Sequence, residues 1–83
     1  MTSTEQLLKE RGSYYGPFKR NALRAQELKK IVYSSGAMFM AEEREAMDMI
    51  CSKLSRISCC PNHIDSWRDI AGYATLVVKE LEK

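Results

Sequence analysis

The chain has no long apolar run, one histidine, one tryptophan and almost no excess charge. Each shortage excludes something. No stretch approaches ~18 uninterrupted apolar residues, the length a membrane-crossing helix needs. The opening Met1-Thr2-Ser3-Thr4-Glu5-Gln6 has no charged region followed by an apolar one, so no export signal is read there and a soluble, cytoplasmic protein is expected. Thirteen Lys and Arg against eleven Asp and Glu leave a formal charge of +2, too little to attract nucleic acid by electrostatics alone. Lys19, Arg20, Arg24, Lys29 and Lys30 do cluster, but Glu27 interrupts them and no helix-turn-helix follows, so nucleic acid is not an expected partner. With a single His there is no positioned base for a Ser, Thr or Cys nucleophile. Cys51, Cys59 and Cys60 are odd in number, and the adjacent pair is too constrained for an ordinary bridge, so all three are read as thiols.

What is present is 83 residues and 9.5 kDa, enough for one domain spanning 1–83. A single core of that size leaves a thin stability margin, so a homo-oligomer is expected. A short helix is outlined from about Thr4 to Arg11, carrying Leu7 and Leu8 and stopped by Gly12, with a turn rich in glycine and tyrosine through Tyr14, Tyr15 and Pro17. From Phe18 to Tyr33, Phe18, Ala22, Ala25, Leu28, Ile31 and Val32 recur at three and four, the spacing of an amphipathic helix. Ser34-Ser35-Gly36 ends it. The next helix starts near Ala41, with Glu42, Glu43 and Glu45 where the helix dipole favours anions, and runs to about Ile57. Pro61 breaks the chain, Asn62 offers a cap, and a last helix carries Trp67, Ile70, Ala74, Val77 and Leu81 as its core stripe. No segment reads as a paired strand. The expected fold is all-α: a small bundle of three main helices plus a short N-terminal one.

Chemistry has few places to sit. Glu42, Glu45 and Asp48 are spaced i, i+3, i+6, and Asp65 with Asp69 adds a second acidic pair, a pattern able to hold Mg²⁺ against a phosphate. The same pattern also arises from an acidic helix start and an interhelical ion network. Lys53 and Arg56, about one turn apart, suit a phosphate, with Tyr14, Tyr15 or Trp67 to stack on a base. Pairing of Lys53 and Arg56 with Asp65 and Asp69, with Trp67 in the core and the tyrosines a packed turn, accounts for the same residues without a ligand. Cys60 and His63 offer two ligands where structural zinc wants four, so no resident metal is expected, and His63 is read as a first-turn residue. Met38-Phe39-Met40 suits a partner contact or core packing.

Glu10-Arg11-Gly12-x-x-Tyr15-Gly16-x-Phe18, Arg44-Glu45-Ala46-Met47-Asp48, Lys53-x-x-Arg56 and Pro61-Asn62-His63-x-Asp65-x-Trp67-x-Asp69 together resemble a family of small phage and prophage domains. That family is similar to nucleotide-modification-associated domains and, more distantly, to the all-α nucleoside triphosphate pyrophosphohydrolases of the MazG kind. The resemblance spans nearly the whole chain and implies an all-α fold, phage or prophage origin and a link to nucleotides. Its polar positions here are Glu10, Arg11, Tyr15, Arg44, Glu45, Asp48, Lys53, Arg56, His63, Asp65, Asp69 and Tyr73. Two features depart from those patterns. The facing pair of acidic helix motifs is incomplete, because Asp65 and Asp69 have the wrong spacing, and Tyr15 stands where the opening motif carries a histidine.

The expectation is a noncatalytic domain, without a required cofactor, that binds a nucleotide-derived small molecule. Its ligand-binding set is Lys53, Arg56, Tyr14, Tyr15, Arg11, His63, Asp65 and Asp69, and its role lies in phage nucleotide metabolism or in sequestering a host defence signal in the host cytoplasm. One alternative is a Mg²⁺-dependent nucleotide pyrophosphohydrolase using Glu45, Asp48, Asp65 and Asp69. Another is a module that captures a host protein through Met38-Phe39-Met40.

Overall fold

The computed structural model describes residues 4–6 and 17–83. Residues 4–6 are helical, and three long helices follow: α1 (Phe18–Tyr33), α2 (Ala41–Cys59) and α3 (Ile64–Leu81). No strand occurs among the described residues. The all-α bundle expected from periodicity is the fold observed, and Leu7, Leu8 and Gly12 lie outside the described residues.

Local chemistry sets the ends. Pro17 precedes α1 with φ −62°, and its carbonyl accepts the Asn21 N–H at 3.1 Å. At the other end Gly36 adopts φ 76°, the left-handed turn that a Cβ disfavours, and its N–H reaches the Tyr33 carbonyl at 3.2 Å. At the start of α2 the Glu43 carboxylate accepts the Met40 N–H at 2.8 Å, one half of a capping box. This helix continues to Cys59, two residues past the expected end, because the chain does not turn until Cys60. His63, not Asn62, is the residue before α3, and its side chain makes no capping bond. Its carbonyl accepts the Ser66 N–H at 3.2 Å, while Ser66 Oγ lies 3.4 Å from His63 Nδ1.

Helix α2 packs on both α1 and α3, whereas α1 and α3 do not touch. The first pair is antiparallel: Asn21 near the start of α1 meets Ser55 near the end of α2, and Tyr33 meets Asp48. Small polar side chains make this contact close. Ser55 is fully buried, its Oγ donating to the Asn21 carbonyl at 2.7 Å, and Arg24 Nη1 donates to Asn21 Oδ1 at 3.1 Å and to the Ser55 carbonyl at 3.2 Å. No buried side-chain N or O lacks a partner among the described residues, which removes the main cost of a polar interface.

The apolar core is correspondingly small. Ala25, Ala46, Cys51 and Ile57 are buried, and the largest side chains with no access to solvent are Cys51 and Ser55. Several expected core residues therefore move outward. Phe18, Ile31, Trp67, Ala74 and Leu81 are exposed, while Ala22, Leu28, Val32, Ile70 and Val77 are half-buried. The reason is topological. Flanked by α1 and α3, α2 must divide its surface between two neighbours. On α3, with one neighbour, Ser66 is buried and Ile70, Tyr73 and Val77 half-buried at i, i+4, i+7 and i+11, so the wider apolar face remains in solvent.

Candidate functional site

An open cleft of about 500 Å³ lies between the C-terminal half of α1 and the N-terminal half of α2. Tyr33 anchors it. Its hydroxyl donates to Asp48 Oδ1 at 2.7 Å and lies 3.2 Å from the Arg44 carbonyl oxygen. The Arg44 guanidinium sits over the Tyr33 ring, 4.1 Å from the centroid, and Phe39 meets the same ring edge-on at 5.1 Å. Helical spacing explains the grouping, since Lys29, Lys30 and Tyr33 share one face of α1, and Arg44 and Asp48 share one face of α2. Glu27 and Gln26 complete the rim. No ion pair among the described residues holds Lys29, Lys30 or Arg44.

Burial, reinforced by the hydrogen bond to Asp48 and its negative charge, pushes the Tyr33 phenol up to about 12, against a smaller opposing pull from Arg44. Tyr33 therefore stays a hydrogen-bond donor at any physiological pH and is no general base. Burial also raises the Cys51 thiol; Lys29 opposes that shift and Asp48 adds to it. An inaccessible, protonated thiol is a packing group, not a nucleophile.

The other candidate residues occupy separate places. Lys53 Nζ is bound to Asp69 Oδ2 at 2.9 Å, with the lysine side chain only 13% exposed. Asp65 faces Arg68 at 3.7 Å on the surface, Asp48 is held by Tyr33, and Glu45 is exposed. The four carboxylates of the alternative, metal-dependent reading are thus in four different surroundings, and no group of three or more His, Cys, Asp or Glu is placed to hold an ion among the described residues. Arg56 and His63 are half-buried, and Arg11, Tyr14 and Tyr15 lie outside the described residues. Trp67 is neither in the core nor free to stack as a mobile ring, because its Nε1 donates to the Pro61 carbonyl at 2.8 Å.

In the sequence Lys29 and Lys30 read only as part of a basic cluster interrupted by Glu27, and Tyr33 had no role. The available signal was Tyr33 closing a helix three and four residues after two lysines, but only the fold brings Arg44 and Asp48 alongside. No curated protein and no solved structure matches the chain. A family model does, over residues 1–81, and the chain belongs to that family, DUF6378, a domain of unknown function.

Proposed function

We propose that the protein binds, without turning over, a phosphate-bearing nucleotide-derived ligand in the α1–α2 cleft. The observation that carries this reading is the presence of three cations, Lys29, Lys30 and Arg44, on one open cleft with no internal ion pair, beside the fixed ring of Tyr33. Lysine ammonium groups attract phosphate as point charges, and the outer face of an arginine already stacked on a tyrosine accepts a planar base. Lys53 suits the role less well, being covered and engaged by Asp69. The phage or prophage setting and the nucleotide link implied by the sequence resemblance accord with such a ligand, and sequestration of a host signal requires binding alone.

Thermal shift against nucleoside mono-, di- and triphosphates and cyclic dinucleotides, with and without Mg²⁺, tests it. A ligand at about 100 times its dissociation constant adds about 2.7 kcal/mol, which raises Tm by about 10–20 °C in a domain of this size. The expected result is a shift without product, lost in the Lys29→Ala/Lys30→Ala protein and kept in Lys53→Ala. No shift with any of these compounds refutes the proposal. A shift requiring Mg²⁺ and accompanied by product, abolished by Glu45→Gln, would replace it with the pyrophosphohydrolase. A protein-capture reading rests on Met38, 98% exposed, and Met40 beside it, and predicts partner loss in Met38→Glu with no ligand response.

A further inference from the structure

Six residues of α3 repeat at alternating spacings of three and four: Ile64, Trp67, Ala71, Ala74, Val78 and Leu81. All are apolar and all are exposed, on a face that neither α1 nor α2 covers. This is the two-position seam of a coiled coil over almost the entire helix, about 27 Å long. Trp67 lies half exposed in it, 51%, with its one polar atom already satisfied by Pro61. The outward part of the indole is therefore apolar surface held in place, the kind of side chain that anchors an interface at little cost in side-chain freedom.

We infer that this face is covered by the same face of a second copy, with the two α3 helices antiparallel. Either direction pairs large residues with large ones, but only the antiparallel one keeps the two Trp67 rings apart and brings an opposite charge beside Arg68. Turned end for end, Ile64 falls opposite Leu81, Trp67 opposite Val78 and Ala71 opposite Ala74 of the other copy. Every large residue meets a large one at the ends, and the alanines meet at the centre, where the helices approach most closely. Arg68 and Glu82 flank the seam on one side and come to the same side when the copies are antiparallel, about 7.5 Å apart along the axis, within reach of two long side chains. A parallel pair would set Trp67 on Trp67 and leave Arg68 without that acid.

Sedimentation equilibrium of the full chain tests the inference. Wild type is expected at twice the monomer mass of 9.5 kDa, falling toward one copy on dilution. Ala74→Glu adds a charge to an exposed helical position and is expected at monomer mass, whereas Leu76→Glu, exposed on the same helix but off the seam, stays dimeric. Adding Ala71→Lys to Ala74→Glu sets the new lysine of each copy opposite the new glutamate of the other, so the dimer returns. That restoration also decides the matter if Ala74→Glu alone loses helicity by circular dichroism. A wild type monomeric at every concentration, including one whose own residues 1–16 cover the seam, overturns the inference, as does an Ala74→Glu protein that remains dimeric. A double variant that stays monomeric overturns the antiparallel arrangement.

Discussion

Replacing Tyr33 by Phe removes one hydroxyl and leaves the ring to hold Arg44 and Phe39. In the wild type that hydroxyl donates to Asp48 at 2.7 Å, and the phenol is raised from 10.0 to about 12. A raised pKa means that folding favours the protonated form. The stabilisation is complete below the unfolded value of 10, declines as pH rises from 10, and is gone above about 12. The largest part of that rise is burial disfavouring the phenolate, and the ring is only half-buried, so solvent screening leaves about 1 kcal/mol for the hydrogen bond itself. Urea unfolding at fixed protein concentration should therefore find Tyr33→Phe less stable by about 1 kcal/mol at pH 8, with the gap closing between pH 10 and 12. Ionisation of Cys51, also raised by burial, weakens both proteins in the same range. Absorbance at 295 nm gives an independent reading, in which one of the four tyrosines titrates only near pH 12 in the folded protein. A stability gap that stays constant from pH 8 to 12, or four tyrosines titrating together near 10, would refute the reasoning.

Ser55→Ala removes the donor to the Asn21 carbonyl at a site with no solvent access and should cost about 1–2 kcal/mol by chemical denaturation, with helicity retained. Gly36→Ala meets no steric obstacle, so its cost is purely conformational at φ 76°, about 1 kcal/mol in the same assay. Thiol titration with an aromatic disulfide should label exposed Cys59 promptly in the native protein and Cys51 only on unfolding.

Helix positions were legible in the sequence because the 3.6-residue period survives whichever neighbour a helix packs on. The buried faces were less so. Periodicity ranks residues by hydrophobicity, and on α3 it chose Trp67, Ala74 and Leu81, which are apolar but point to solvent. The face packed on α2 instead contains Ser66 and Tyr73. On α2 it passed over Ser55, which is buried because a small hydroxyl lets two helices approach and can satisfy itself on a backbone carbonyl. Charged partners fared unevenly for the same reason. Lys53 with Asp69 follows from a short hairpin between α2 and α3, whereas Arg44 over Tyr33 depends on how the Ser34–Met40 connection folds, which no helical projection contains.

The cleft and the seam are separable. One is built from α1 and α2, the other from α3 alone, and α1 does not touch α3. If the two proposals describe independent features, the Lys29→Ala/Lys30→Ala protein should keep the dimer mass, and folded Ala74→Glu monomer should keep the ligand affinity of wild type. Stability links them in one direction only. If the isolated monomer is partly unfolded, its apparent dissociation constant rises by the reciprocal of the folded fraction, which circular dichroism measures directly. Isothermal titration of Ala74→Glu, corrected for that fraction, should then recover the wild-type constant within about twofold. A corrected affinity tenfold weaker or worse would mean that the second copy contributes to the ligand site, and that a cleft drawn from one chain is incomplete.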